Sequence, residues 1–329
     1  MGDSARDRYF WSPEHDLTIQ DFIKKTRPSI VTDDVAPWIW VQGSDAPKKD
    51  PEVDGAKGGV IQEARKIVDR LTKRMAEIED DDDIPVRASK GKKSKKVVRE
   101  EAHENAKEEL HELSVISTWT VGKWLLFPQR ISVDGMWSAL AQSVADGPLR
   151  DAGVFLAKVA PTPAGQAEGE QRPHVICLYI PDVYDLKVVR KVLETLLGKH
   201  GLEPSAVKSD LYTLAGIDSN HPSKLRSTIW RPYEVITGGK DAVEKLKAQY
   251  KPQKGADGKK QVGQDGFIDS DSEDEKISRM NKRKARVTGA DSSAKSSSTQ
   301  TKEEKRSVTT DEQEQAAPRM KKHKAASAA

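Results

Sequence analysis

Cysteine is all but missing from this chain of 329 residues: Cys177 is the only one. A lone thiol makes no intrachain disulfide, which suits a reducing compartment, and it supplies no cysteine-rich metal site. It lies in the apolar run "HVICLYIP" with no His and acid arrangement nearby, so it reads as a small core residue. Long hydrophobic runs are also missing. No stretch approaches the length that spans a bilayer, and "MGDSARDRYF" has no apolar signal region. Gly2 fits a myristoylation motif poorly, because Arg6 stands where Ser or Thr is required. The expectation is a soluble protein of the cytoplasm, the nucleus or both, with no membrane partner.

Catalytic signatures are missing as well. His103 and His111 in "AHENAKEELHEL" are eight apart, where a helical zinc pair needs four. "GAKGG" and "TGGKDA" lack the ending of a phosphate-cradling loop, and no serine nucleophile elbow occurs. Paired carboxylates fall in charge runs, where solvation is the default. The reading is a non-enzyme with no catalytic residue, no metal and no cofactor.

Net charge is low in spite of abundant charge. Lys and Arg number 55 against 52 Asp and Glu, while apolar residues are 36 % of the chain. That is too polar for globularity throughout, so one core with long flanks is expected. The charge runs are local. "EDDDDIPVRASKGKKSKKVVREE" reads as a flexible insertion at about 80–100, and residues 251–329 read as a disordered tail. Within that tail Ser270 and Ser272 sit in "DSDSEDE", a setting for an acidophilic kinase. Lys282, Arg283, Lys284 and Arg286, with Lys321, Lys322 and Lys324, read as nuclear-import or phosphate-contacting runs.

What is present is a dense apolar stretch from about Leu113 to Ile236, preceded by an aromatic segment over 1–36 and by "PWIWVQ". Residues 37–250 are expected to form a single α/β domain. Period-two patterning predicts strands at "GKWLLF", "GVFLAKVA", "HVICLYIP", "SDLYTLAGI" and "KLRSTIWRP". Helical spacing predicts helices over Val60–Glu79, within "VDGMWSALAQSVADG", and from Asp185 to His200 with Gly201 as terminator. Helices would then cover one face of a mostly antiparallel sheet and leave the other to solvent or a ligand.

The blocks "GKWLLF", "VDGMWSALAQSVADGPL", "AKVAP", "HVICLYIPDVYD", "SDLYTLAGI" and "KLRSTIWRP", in this order, resemble the basophilic leukaemia expressed protein family. The resemblance runs from roughly Trp38 to Trp230. It implies a domain similar to the eukaryotic mRNA cap-binding initiation factor, a curved antiparallel sheet backed by helices. In that factor two loop tryptophans hold the ligand, an acid reads the base and cations meet the phosphates. Trp119, Trp124, Trp137 and Trp230 are present, but no flanking pattern singles out two of them.

Read as a strand, "KLRSTIWRP" puts Lys224, Arg226, Thr228 and Trp230 on one face. Cations for the backbone beside a ring for stacking is what single-stranded nucleic acid or a nucleotide requires. Lys123 and Lys158 are single cations in apolar strands; they either snorkel or point into the same concavity. Trp119 and Trp124 fall on opposite faces of a regular strand, so at most one faces a ligand. Lys208, Asp210 and His174 complete the candidate set, each with an ordinary structural role as its rival. Trp137 reads as core, and Trp38 and Trp40 as anchors of the N-terminal segment. The expectation is RNA or nucleotide binding, with a cap-like ligand included. The alternative is a protein-interaction adaptor whose sheet row is a solvated face.

Overall fold

The computed structural model describes residues 8–43, 51–89, 91–165 and 172–251. Of the two compact units in the chain, Met1–Lys282 contains all of these, and Arg283–Ala329 lies outside the described residues. Ser270, Ser272, the two basic runs and nearly all of the tail expected to be disordered therefore lie outside them too. No helix among the described residues is long and apolar enough to cross a membrane.

Six strands of the described chain form one sheet: β1 (Phe10–Trp11), β2 (Ile39–Gln42), β3 (Gly122–Leu126), β4 (Leu156–Val159), β5 (Ile176–Ile180) and β6 (Ala206–Ser209). Their spatial order is β1-β2-β4-β5-β3-β6. Only the short β1–β2 pair is parallel; the other four pairs are antiparallel. The expected mixed α/β class with a mostly antiparallel sheet is what the chain forms.

Register decides which face each residue serves. One cross-strand row runs Val41–Ala157–Leu178–Trp124–Val207, and every member is completely buried. Helices α4 (Arg130–Asp146) and α6 (Leu186–His200) contribute to the same core. They present Val133, Trp137, Leu140, Ala141 and Val144, and Val189, Val192, Leu193, Leu196 and Leu197, at helical spacing. The Asp185 carboxylate caps α6 by accepting from Lys187 N–H, and Gly201 ends it with φ of 64°, a conformation that favours glycine. Trp11 from β1, and Phe22 and Ile23 from α1 (Ile19–Lys25), pack into this core, so the N-terminal segment is part of it.

A second core joins α2 (Pro51–Asp80), α3 (Lys95–Ile116) and α7 (Asp210–Ala215). Ala64, Ile67, Val68, Leu71, Met75 and Ile78 of α2 meet Ala106 and Leu110 of α3 and Leu211, Tyr212 and Ala215 of α7. Helix α3 was not among the expected elements. The charged stretch at about 80–100 divides into the end of α2, a connection, and the first residues of α3, which Ser94 caps.

Two expected strands are corrected. "SDLYTLAGI" is α7: Ser209 accepts from Leu211 N–H and starts a helix, and Gly216 ends it with φ of 84°. Its Leu211, Tyr212 and Ala215 are spaced to bury one helical face against α2. "KLRSTIWRP" forms no strand either. Lys224 takes a positive φ of 58°, and a turn in which Ser223 Oγ accepts from Leu225 N–H replaces the alternation. The segment reaches the sheet only at a single bridge between Trp230 and Val207, where Ile229 N–H donates to the Val207 carbonyl and Val207 N–H to the Trp230 carbonyl. Beyond it, α8 (Pro232–Val235) and α9 (Gly239–Ala248) close the first core with Val235 and Val243.

Candidate functional site

The residues one step along each strand from the buried row point to the opposite face. They form two further rows: Trp40–Lys158–Cys177–Leu125–Ala206, and Gln42–Leu156–Tyr179–Lys123–Lys208. Lysines and aromatic rings thus share a sheet face with no helix of the first core behind them. Trp38, two residues before Trp40, faces the same way.

Lys158 is the centre of this face. Its ammonium lies 3.9 Å from the Trp38 ring centroid, 4.9 Å from that of Trp40 and 5.6 Å from that of Tyr179. Trp40 and Tyr179 stack at 6.3 Å with 26° between planes, and Phe155 tilts against Tyr179 at 6.4 Å. No carboxylate of the described residues pairs with Lys158, so ring faces provide its electrostatic partners. Burial, the larger cause, and the nearby charge of Lys123 hold its ammonium below the usual lysine range.

Beside it, Lys123 is buried and ion-paired with Asp210, the first residue of α7, and its ammonium is 5.2 Å from the Tyr179 ring centroid. Lys208 stands directly across from Lys123 on β6. Three lysines therefore share the neighbourhood with the Asp210 carboxylate. Burial pushes the Cys177 thiol up to about 11 and Tyr179 well above its ordinary value, so both stay neutral near pH 7. Cys177 is a buried thiol opposite Lys158, not an activated nucleophile.

Of the sequence candidates, the fold brings together Lys123, Lys158, Lys208 and Asp210. The others go elsewhere. Arg226 donates to both Glu234 carboxylate oxygens at 2.7 Å and to the carbonyls of Thr228 and Ile229, which makes it a brace for the segment before α8. Trp230 donates its indole N–H to the Val183 carbonyl at 2.8 Å and packs against the first core. Lys224 is exposed on a turn and Thr228 is half-buried, so the four do not form a row. Trp124 is completely buried in the first core, and Trp119 packs against the second. His174 is buried; its ring N–H donates to the Ala160 carbonyl at 2.8 Å, and burial lowers its pKa.

Trp38, Trp40 and Tyr179 are the site residues that sequence reasoning missed. Their signal was the alternation in "PWIWV" and in "ICLYI", which sets both tryptophans, and Cys177 with Tyr179, on single faces. What the pattern did not carry was the pairing of β2 with β4.

Residues 4–213 match the family model of basophilic leukemia-expressed protein Bles03. The chain belongs to that family. The match spans every strand of the sheet and the whole set of Trp38, Trp40, Lys123, Lys158, Tyr179, Lys208 and Asp210. It stops before Lys224, so the "KLRSTIWRP" segment lies beyond the Bles03 match. No curated protein is similar enough to the chain to count as a match.

Proposed function

We propose that this Bles03-family protein is a non-enzymatic binding protein that receives a nucleotide or single-stranded RNA on the lysine- and aromatic-bearing sheet face. The observation that carries the reading is the half-buried Lys158 ammonium, set among the Trp38, Trp40 and Tyr179 rings without a carboxylate partner among the described residues. Rings offer stacking that tolerates any base, and cations meet the backbone phosphates. Lys123 and Lys208 add positive charge on the same face, and Asp210 neutralises part of it.

The resemblance to the cap-binding initiation factor supports the same assignment. A sheet with helices on one face and rings on the other supports that comparison, and a cap-like nucleotide falls within the proposed ligand class. The roles first sought in Arg226 and Trp230 pass to Lys158 and to Trp38 with Trp40, because the former pair already serves internal contacts.

The test is a tryptophan-fluorescence titration of the full chain with a short single-stranded RNA at low and high salt. Saturable quenching, weakened by salt and lost in the Trp38→Ala, Trp40→Ala double variant, supports the reading. A chain that shows no quenching at either salt contradicts it and turns attention to protein partners.

A further inference from the structure

The aromatic surface of this site already has an occupant. A base stacking on Trp38 needs the position above the ring, and the Lys158 ammonium holds that position at 3.9 Å. The same ammonium is within 4.9 Å of the Trp40 ring centroid, so a base cannot choose the neighbouring ring without meeting it. A base that stacks on the ring faces covered by the ammonium must first move the lysine.

Resting on the nucleotide-binding reading above, we infer that Lys158 sets the ligand class of the site: it admits an aromatic base that carries phosphate and refuses a bare one. The argument is a comparison of what the ammonium loses and gains. When it leaves the rings it loses its cation–ring contacts, and a nucleoside offers it only neutral acceptors, the ring nitrogens and ribose oxygens, in exchange. A phosphate offers charge-assisted hydrogen bonds to the same ammonium, and these are among the stronger polar contacts available. The flexible four-carbon stem lets the ammonium swing from ring to phosphate with little change elsewhere. Burial makes the exchange steeper. Lys158 is already partly stripped of water, so it has little hydration to fall back on once the rings are taken.

Two features of the face agree with this role. Lys123 is a buried lysine on the same face, but it is engaged by Asp210 and is not available as a first phosphate partner without breaking that pair. Lys158 faces Cys177 directly across the ladder, a thiol that burial keeps neutral near pH 7. The lysine is therefore held by ring faces, and a ligand that supplies an anion can take it from them.

The experiment titrates the full chain with adenosine and with adenosine 5′-monophosphate, by calorimetry at low salt, in the wild type and in Lys158→Met and Lys158→Arg. Methionine keeps an unbranched stem and removes the charge; arginine keeps the charge. The wild type is expected to bind the monophosphate at least about tenfold more tightly than the nucleoside. In Lys158→Met that preference is expected to fall by at least about fivefold, with adenosine binding tighter than to the wild type and the monophosphate weaker. Lys158→Arg is expected to retain the preference. A preference that is the same in wild type and Lys158→Met overturns the assignment to Lys158 and leaves the nucleotide-binding reading standing. Absence of binding by both probes to all three proteins overturns that reading, and the inference with it. Parallel arms with a single-stranded tetranucleotide, with and without a 5′-phosphate, distinguish a free nucleotide from an RNA end as the source of the phosphate.

Discussion

Lys123 and Lys208 face each other directly across the β3–β6 ladder, and the Asp210 carboxylate at the start of α7 makes the pairing tolerable. Like charges opposed on adjacent strands destabilise a sheet. Here one of the two, Lys123, has a side chain only 6 % exposed and is ion-paired with Asp210. The cap of the helix and the charge balance of the sheet face are thus tied to one strand–helix junction, where Ser209 ends β6 and Asp210 begins α7.

That arrangement makes Asp210 more sensitive than its partner. Asp210→Ala leaves a buried ammonium opposed by another lysine, and a loss of about 3 kcal/mol is expected in urea denaturation. Lys123→Met is expected to lose less, because the Asp210 side chain is 24 % exposed and hydrates once released. Equal losses in the two variants would contradict this asymmetry between a buried ammonium and a carboxylate that rehydrates.

Arg226 gives a prediction of the opposite kind. Its guanidinium bridges Glu234 and two backbone carbonyls, so Arg226→Ala is expected to lower stability by about 1–3 kcal/mol. Affinity for single-stranded RNA is expected to stay within about twofold of wild type, since the Arg226 hydrogen bonds go to Glu234 and to its own segment rather than to the ring set. A stable variant that binds poorly would restore Arg226 to the ligand site.

His200 couples the first core to pH. Its Nε2 shares a hydrogen bond of 3.0 Å with Ser143 Oγ, which also accepts the Leu149 N–H. Burial holds the His200 pKa down at about 4. The unfolded chain binds this proton near pH 6.5. Between these values the unfolded state carries more protons, so stability is full above about pH 6.5 and declines toward pH 4, by about 3 kcal/mol at most from this group. Thermal unfolding of wild type and His200→Gln across that window checks it: the variant is expected to lose much of the decline.

How far this site was legible in the sequence depends on how local each signal is. Helix α6 was readable because Asp185, five buried aliphatics at helical spacing and Gly201 all lie within one continuous stretch. Lys123 and Lys158 were visible as single cations in apolar strands. Their company was not, because Trp38 and Trp40 meet Lys158 only through pairing of β2 with β4, across more than a hundred residues. Asp210 was read as preceding a strand because "SDLYTL" has a short apolar run that fits either period, and only burial of Leu211 and Tyr212 against α2 selects the helix. Lys224 deceived for another reason. A lysine seldom takes positive φ, and the turn that imposes it depends on the neighbouring Ser223 and His221 hydrogen bonds.

The Lys158 ammonium offers a reading of the site before any ligand is added. In lysine-selective nuclear magnetic resonance its titration midpoint is expected below the ordinary 10.5, with side-chain resonances shifted by the adjacent rings. Trp38→Ala is expected to move both toward values typical of exposed lysines. Unperturbed resonances in the wild type would mean that the ammonium does not rest on the rings.

The most direct test of the central claim follows the indole N–H resonances of the full chain while adenosine 5′-monophosphate is added. The account predicts saturable shifts at Trp38 and Trp40, with Trp124 in the core and Trp230 on Val183 essentially still. Shifts confined to Trp230, or an unchanged spectrum at saturating probe, would contradict it.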